Sequence, residues 1–162
     1  MADPISFQIE GVNSLVAKLD GVSQDMRKKG GRFALRRAAN LVRDQAKQNA
    51  QRLDDPETGR SIADNVAVRW SGKTFKSTGD LHFRVGILGG AKVPKGNPDT
   101  GAKGATPHWR LLEFGTEKMA AQPFLRSALA DNLQPATNEF VEQYSKAIDR
   151  AIKRAAKANG GG

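Results

Sequence analysis

Cysteine is absent from this 162-residue chain. Its absence excludes disulfides and thiol chemistry and removes most structural zinc sites. There is also no apolar run near the roughly 18 residues that a membrane-spanning helix needs. The first residues, Met1-Ala2-Asp3-Pro4, carry neither a basic nor an apolar leader segment, so intracellular synthesis is the expectation. Acids are in short supply: 17 Asp and Glu face 26 Lys and Arg, a formal net charge of +9. That balance favours a polyanionic partner, whether nucleic acid, an acidic protein ring or a lipid surface, and makes salt-sensitive binding the expectation.

Catalytic chemistry is scarce as well. Gly72-Lys73-Thr74 has the end of a phosphate-binding loop, but the motif needs glycine at position 67, where this chain has Ala67. The segment is also expected to lie between two strands rather than before a helix. Pro98-Asp99 could open a metal-dependent nuclease motif, yet the nearest later acid–lysine pair, Glu117-Lys118, lacks the intervening residue. His82 and His108 have no ligand partners at useful spacing, and Asp54, Asp55 and Glu57 read as helix-end acids before or beside a proline. No Gly-x-Ser-x-Gly signature is present. The chain is expected not to be an enzyme and to need no cofactor or metal.

What is present reads as an α+β domain. Ile5, Phe7 and Ile9 alternate with polar residues as a short strand, and Val12 to Leu19 reads as a short helix. A long helix is expected over about 23–53, with Leu35, Ala38, Ala39, Val42, Ala46 and Ala50 as a narrow buried stripe. Gly30-Gly31 marks either a kink in it or its true start. Val66, Val68 and Trp70, then Phe83, Val85 and Ile87, alternate as two strands of a hairpin with a long polar tip near Gly79-Asp80. The N-terminal strand could join them. A C-terminal helix is expected over about 135–158, its stripe being Phe140, Val141, Tyr144, Ile148, Ala151, Ile152 and Ala155. The whole is read as one domain over 1–158: a small antiparallel sheet packed against a long helix of the N-terminal half and a long C-terminal helix. The glycine-rich end, 159–162, is a disordered tail. Residues 89–106, with five glycines, two prolines and three lysines, form a flexible loop that is either a plain surface loop or an arm ordering against a partner.

Two basic helix faces follow from spacing. Arg32, Arg36, Arg43 and Lys47 share one face of the first long helix; Lys146, Arg150, Lys153 and Lys157 share one face of the last. Each is either a solvated face or a surface for a polyanion or acidic partner.

The densest stretch is residues 109–129. Thr106 is a fitting N-cap and Pro107 a first helical residue, with Gly115 closing one or two turns in a left-handed conformation. Glu117 to Ala121 then forms a short connector. Pro123 opens another helix, with Phe124, Leu125, Ala128 and Leu129 on one apolar stripe. Trp109, Phe114 and Phe124, three of the ten aromatics, should form a local core. Glu113, Arg110 and Arg126 are either ion pairs at its edge or contacts to another subunit.

Trp109 with Glu113-Phe114-Gly115-Thr116, then Ala121-Gln122-Pro123-Phe124-Leu125-Arg126 and Ala128-Leu129, resembles the signature of the tail-completion, or head–tail joining, family of long-tailed bacteriophages. The segment from Asp54-Asp55-Pro56 to Asn65-Val66 resembles the family's middle region. One position departs: members commonly have proline after the arginine, where this chain has Ser127. The resemblance implies a virion protein at the head-proximal end of the tail, assembled in the host cytoplasm into a ring with six-fold symmetry like the tail tube. Its neighbours would be tail terminator, tail tube or head connector, with non-specific contact to phage DNA and none to membrane. In such a ring the corner would supply subunit contacts through Trp109, Arg110, Glu113, Phe114 and Arg126, and the loop through Lys92, Lys95 and Lys103. The competing expectation is a basic nucleic-acid-binding module with no virion role.

Overall fold

The computed structural model describes residues 11–54, 61–88 and 106–160. Its elements run α1 (Val12–Asp20), α2 (Gln24–Gln51), α3 (Ile62–Asn65), β1 (Val66–Trp70), α4 (Gly72–Thr78), β2 (Phe83–Ile87), α5 (Trp109–Phe114) and α6 (Leu125–Asn159). The α+β class holds, with a two-stranded antiparallel sheet and long helices in the N-terminal half and at the C-terminus. The strand expected at 5–9, the turn at 58–59 and the glycine-rich loop at 89–105 lie outside the described residues.

The chain divides into two compact units, neither of them a single stretch of sequence. The first takes its described residues from 11–38, 71–82 and 134–160. Here α2 runs straight through Gly30 and Gly31, so the glycines neither start nor interrupt it. Their role is close approach: a Cβ on Gly30 would stand 3.2 Å from the Tyr144 ring, and one on Gly31 would stand 2.7 Å from a Leu81 methyl. Tyr144 uses that proximity to donate its hydroxyl to the Arg27 carbonyl at 3.0 Å. Burial pushes the Tyr144 phenol up, and the nearby Arg27 charge opposes this only in part. Phe140 packs on Tyr144 with tilted rings, 5.4 Å between centroids, and Ile148 is fully buried one turn on. Lys18 of α1 donates to Ser145 and pairs with Asp149, both at 2.9 Å, tying α1 to α6.

Several expectations are corrected along α4 and α6. The polar tip of the hairpin is a helix, α4, held by the Phe75 N–H on the Ser71 carbonyl and closed by Gly79 at φ +80°. Gly72-Lys73-Thr74 therefore does follow a strand and begin a helix, contrary to expectation, although position 67 is still alanine. The last long helix does not begin at Pro135: α6 starts at Leu125 and carries that proline in its interior. It also reaches Asn159, one residue into the stretch read as a tail. Ile152, placed in the buried stripe, is exposed.

The second unit takes its described residues from 39–54, 61–70, 83–88 and 106–133. Val42, Ala46 and Ala50 of α2 are buried at intervals of four, as the periodicity requires. Toward the N-terminus of α2 the line continues through Ala38 and Ala34, both in the first unit, while Leu35 and Ala39 stand half-buried beside it. The short α3 has no counterpart in the hydrophobic pattern. Asp54 nucleates it by accepting the N–H groups of Ile62 at 2.7 Å and Ala63 at 3.4 Å, while Ser61 caps Asp64. Ile62, Ala63 and Val66 are thereby buried. β1 and β2 pair in the register Val66↔Ile87, Val68↔Val85 and Trp70↔Phe83, the last two rings 5.1 Å apart.

Candidate functional site

The corner at 106–129 is built around one carboxylate. Like any α-helix, α6 begins with N–H groups that have no partner within the helix. Glu113, near the end of α5, supplies it. Its Oε2 accepts the N–H of Phe124 at 2.8 Å and of Leu125 at 2.9 Å, and its Oε1 accepts the N–H of Arg126 at 3.0 Å. The Arg126 guanidinium closes the arrangement, donating to Oε1 at 3.1 Å and to the Glu113 carbonyl. Glu113 is 1% exposed. Burial raises its carboxyl, but the N–H groups of Leu125, Arg126 and Phe124 and the Arg126 side chain together outweigh that and hold it below the ordinary carboxylate range. The positive end of the helix favours the same charge.

Between α5 and α6 the chain makes a tight reversal. Thr116 and Met119 exchange backbone hydrogen bonds at 2.8 and 3.3 Å, placing Glu117 and Lys118 at the tip. Gly115 stands at φ +74°, ψ −179°, a positive-φ conformation but not the left-handed helical one expected of it. The reason is a close approach: a Cβ there would sit 2.8 Å from the Ala121 nitrogen and 2.9 Å from the Met119 carbonyl. The Gln122 N–H reaches back to the Leu112 carbonyl at 2.7 Å.

Other expectations for this corner change. Thr106 does not cap α5 with its side chain; it is buried, its hydroxyl accepts Asn65 Nδ2 at 3.0 Å, and α5 begins at Trp109. Likewise α6 begins at Leu125, two residues after Pro123. Of the three aromatics only Phe124 is core, at 1% exposed, whereas Phe114 is 63% exposed. Leu129 is also outside, leaving Ala128 beside Phe124 in the interior. Ser127 donates to the Pro123 carbonyl at 2.6 Å and accepts Asn49 of α2 at 3.3 Å. Asn49 also reaches the Phe124 carbonyl, a link that no local motif announces.

The residues proposed for subunit contact fall into two kinds. Glu113 is spent inside the chain. Phe114 and the neighbouring Leu111, at 51% exposed, are presented outward. Arg126 stands 5.1 Å over the Phe114 ring, Arg110 stands 5.6 Å over Trp109, and the two rings lie 6.5 Å apart. Lys92, Lys95 and Lys103 lie outside the described residues. On the basic faces Arg32, Arg36, Lys153 and Lys157 are exposed and Lys47 is half-buried. Arg43 binds Asp44 at 2.7 Å, Lys146 pairs with Glu142, and Arg150 lies over Phe33. Among the described residues no group of His, Asp and Glu could hold a metal, and no helix is long and apolar enough to cross a membrane.

Residues 13–115 match a family model described as "Bacteriophage HK97-gp10, putative tail-component". The match covers more than half of the chain, takes in the middle segment and the stretch from Trp109 to Gly115, and ends before Ala121 to Leu129. No curated protein and no solved structure matches the chain.

Proposed function

The chain belongs to the HK97-gp10-like bacteriophage tail-component family, and from that membership we propose that it is a tail-completion protein, joining tail to head as a ring at the head-proximal end of the tail. A tail component belongs to the virion and contacts other phage structural proteins. The finer reading adds assembly in the host cytoplasm, six-fold symmetry and the tail terminator, tail tube or head connector as neighbours. The role is structural rather than catalytic.

The observation that carries the proposal is the pairing of the family match with the corner where it ends. Glu113 locks α5 to the start of α6, and the locked corner holds Leu111 and Phe114 in solvent. An apolar patch on a rigid support is the form of a subunit contact. Repeated head to tail, such a contact closes into a ring when its rotation fits. The basic helix faces would then meet acidic neighbours or line the DNA path, through phosphates and without sequence preference.

Quantitative mass spectrometry of purified particles, with free heads and free tails analysed separately, tests this. A few copies per tail and none on heads is the expected result. Absence from every particle would overturn the structural role and leave the nucleic-acid-binding module in its place.

A further inference from the structure

One charged surface is used by none of the above. In the β1–β2 ladder Arg69 and Arg84 are direct cross-strand partners, as are Ala67 and Gly86. The ladder continues outward with the Ser71 N–H on the His82 carbonyl and the Leu88 N–H on the Asn65 carbonyl. By the two-residue repeat, Arg69↔Arg84 and Ala67↔Gly86 are therefore hydrogen-bonded pairs on one and the same face. Their Cα atoms stand about 5.5 Å apart in such pairs. The other face carries Val66, Val68, Trp70, Phe83, Val85 and Ile87.

Like charges directly opposite each other destabilise a strand pair unless something neutralises them. Nothing in the described chain does: Arg69 and Arg84 are both exposed, and no acid pairs with either. Between them and the small residues lies an open hollow of about 310 Å³. Its floor is bare, since a Cβ added to Gly86 would meet nothing within 4 Å.

We propose that Arg69 and Arg84, facing each other across the hairpin above the Ala67–Gly86 floor, form a contact site for the phosphodiester backbone of a nucleic acid. Two guanidinium forks offer paired donors for phosphate oxygens. The face centres on charge: Leu88 lines the end of the hollow, but no Trp, Tyr or Phe of the kind that protein interfaces centre on stands on it. That favours phosphate over an acidic protein segment. A site of this kind positions a backbone and reads no bases. The formal charge of +9 would steer the polyanion toward it. The site does not depend on where in a particle the chain sits.

The test is fluorescence anisotropy of the full chain with a short labelled DNA duplex of mixed sequence, titrated across salt. The double variant Arg69→Gln, Arg84→Gln should bind several-fold more weakly at low salt. Its plot of log affinity against log salt should be shallower by about 0.9 for each phosphate that the variant no longer neutralises. Arg84→Glu, which replaces a repulsive cross-strand pair with an attractive one, should bind duplex worse while melting no lower than the parent. Gly86→Leu fills the hollow with both arginines kept, and should also weaken binding in a folded protein. Unchanged affinity and slope in the double variant would overturn the proposal, as would a parent chain that binds no duplex. Arginine-dependent capture of a polyglutamate peptide without duplex binding would overturn it in favour of an acidic protein partner.

Discussion

The Arg126 side chain lies between two groups of α5, its Nε 3.1 Å from the Glu113 carboxylate and its guanidinium 5.1 Å from the centre of the Phe114 ring. The acid is buried and the aromatic is exposed, so one cation connects the inside of the corner to its surface. Glu113 performs for α6 what an N-cap side chain does for its own helix, but from eleven residues before Phe124 and from another element. A helix start fixed in this way is coupled to the orientation of α5. Leu111 and Phe114 are then carried on a support that cannot turn without leaving N–H groups unpaired.

Glu113→Gln should destabilise the protein by about 2–4 kcal/mol at neutral pH, because a buried charge-assisted cluster loses its anion while keeping its donors. The Glu113 carboxyl is held below its ordinary value of 4.5 in the folded state. Its contribution is therefore fully present above that value and disappears as pH falls through the lower folded one. Urea unfolding of parent and variant from neutral to acid pH should show the gap closing on the acid side. A gap that is constant with pH would mean the carboxylate charge contributes nothing.

Gly115→Ala should cost roughly 1–3 kcal/mol from backbone strain alone. The cost should be higher because the new Cβ would meet backbone atoms of Met119 and Ala121 rather than a movable side chain. Thermal unfolding measures it. An unshifted midpoint would mean the reversal at 116–119 relaxes freely.

Phe124→Ala removes the largest fully buried side chain among the described residues and should destabilise by on the order of 3 kcal/mol. Denaturant midpoints at constant slope report this directly. A variant as stable as the parent would place Phe124 outside the core.

Phe114→Ser should behave in the opposite way. With Phe114 63% exposed, the monomer should keep its stability to within about 0.5 kcal/mol. Assembly, read as native mass or as joining of heads to tails in a complementation assay, should fall sharply. Normal joining would remove Phe114 from the subunit contact.

Local pattern makes much of this chain legible. The alternation at 66–70 and 83–87 marks both strands and their pairing. The three-and-four spacing of alanines marks the buried side of α2, because a helix repeats every 3.6 residues whatever it packs on. The bracket of Ser71 and Gly79 around α4 is also visible, yet a segment so polar and short reads as a turn. Pro135 misleads in the other direction: a proline costs a helix about 3 kcal/mol, which favours a break, and α6 nonetheless runs through it.

The sequence by itself determined the absence of thiols, the excess of positive charge, the periods of the helices and strands, and a family signature centred on Glu113-Phe114-Gly115-Thr116. Only the tertiary structure decided what those residues do. Glu113, Phe114 and Phe124 look equally suited to a core or a contact, because burial depends on which elements converge and not on residue type. The fold turned Phe124 inward, pointed Phe114 to solvent, and set a carboxylate where three orphan N–H groups needed an acceptor. It likewise brought Arg69 and Arg84 face to face, since they lie far apart in sequence and only the register of a hairpin makes them neighbours.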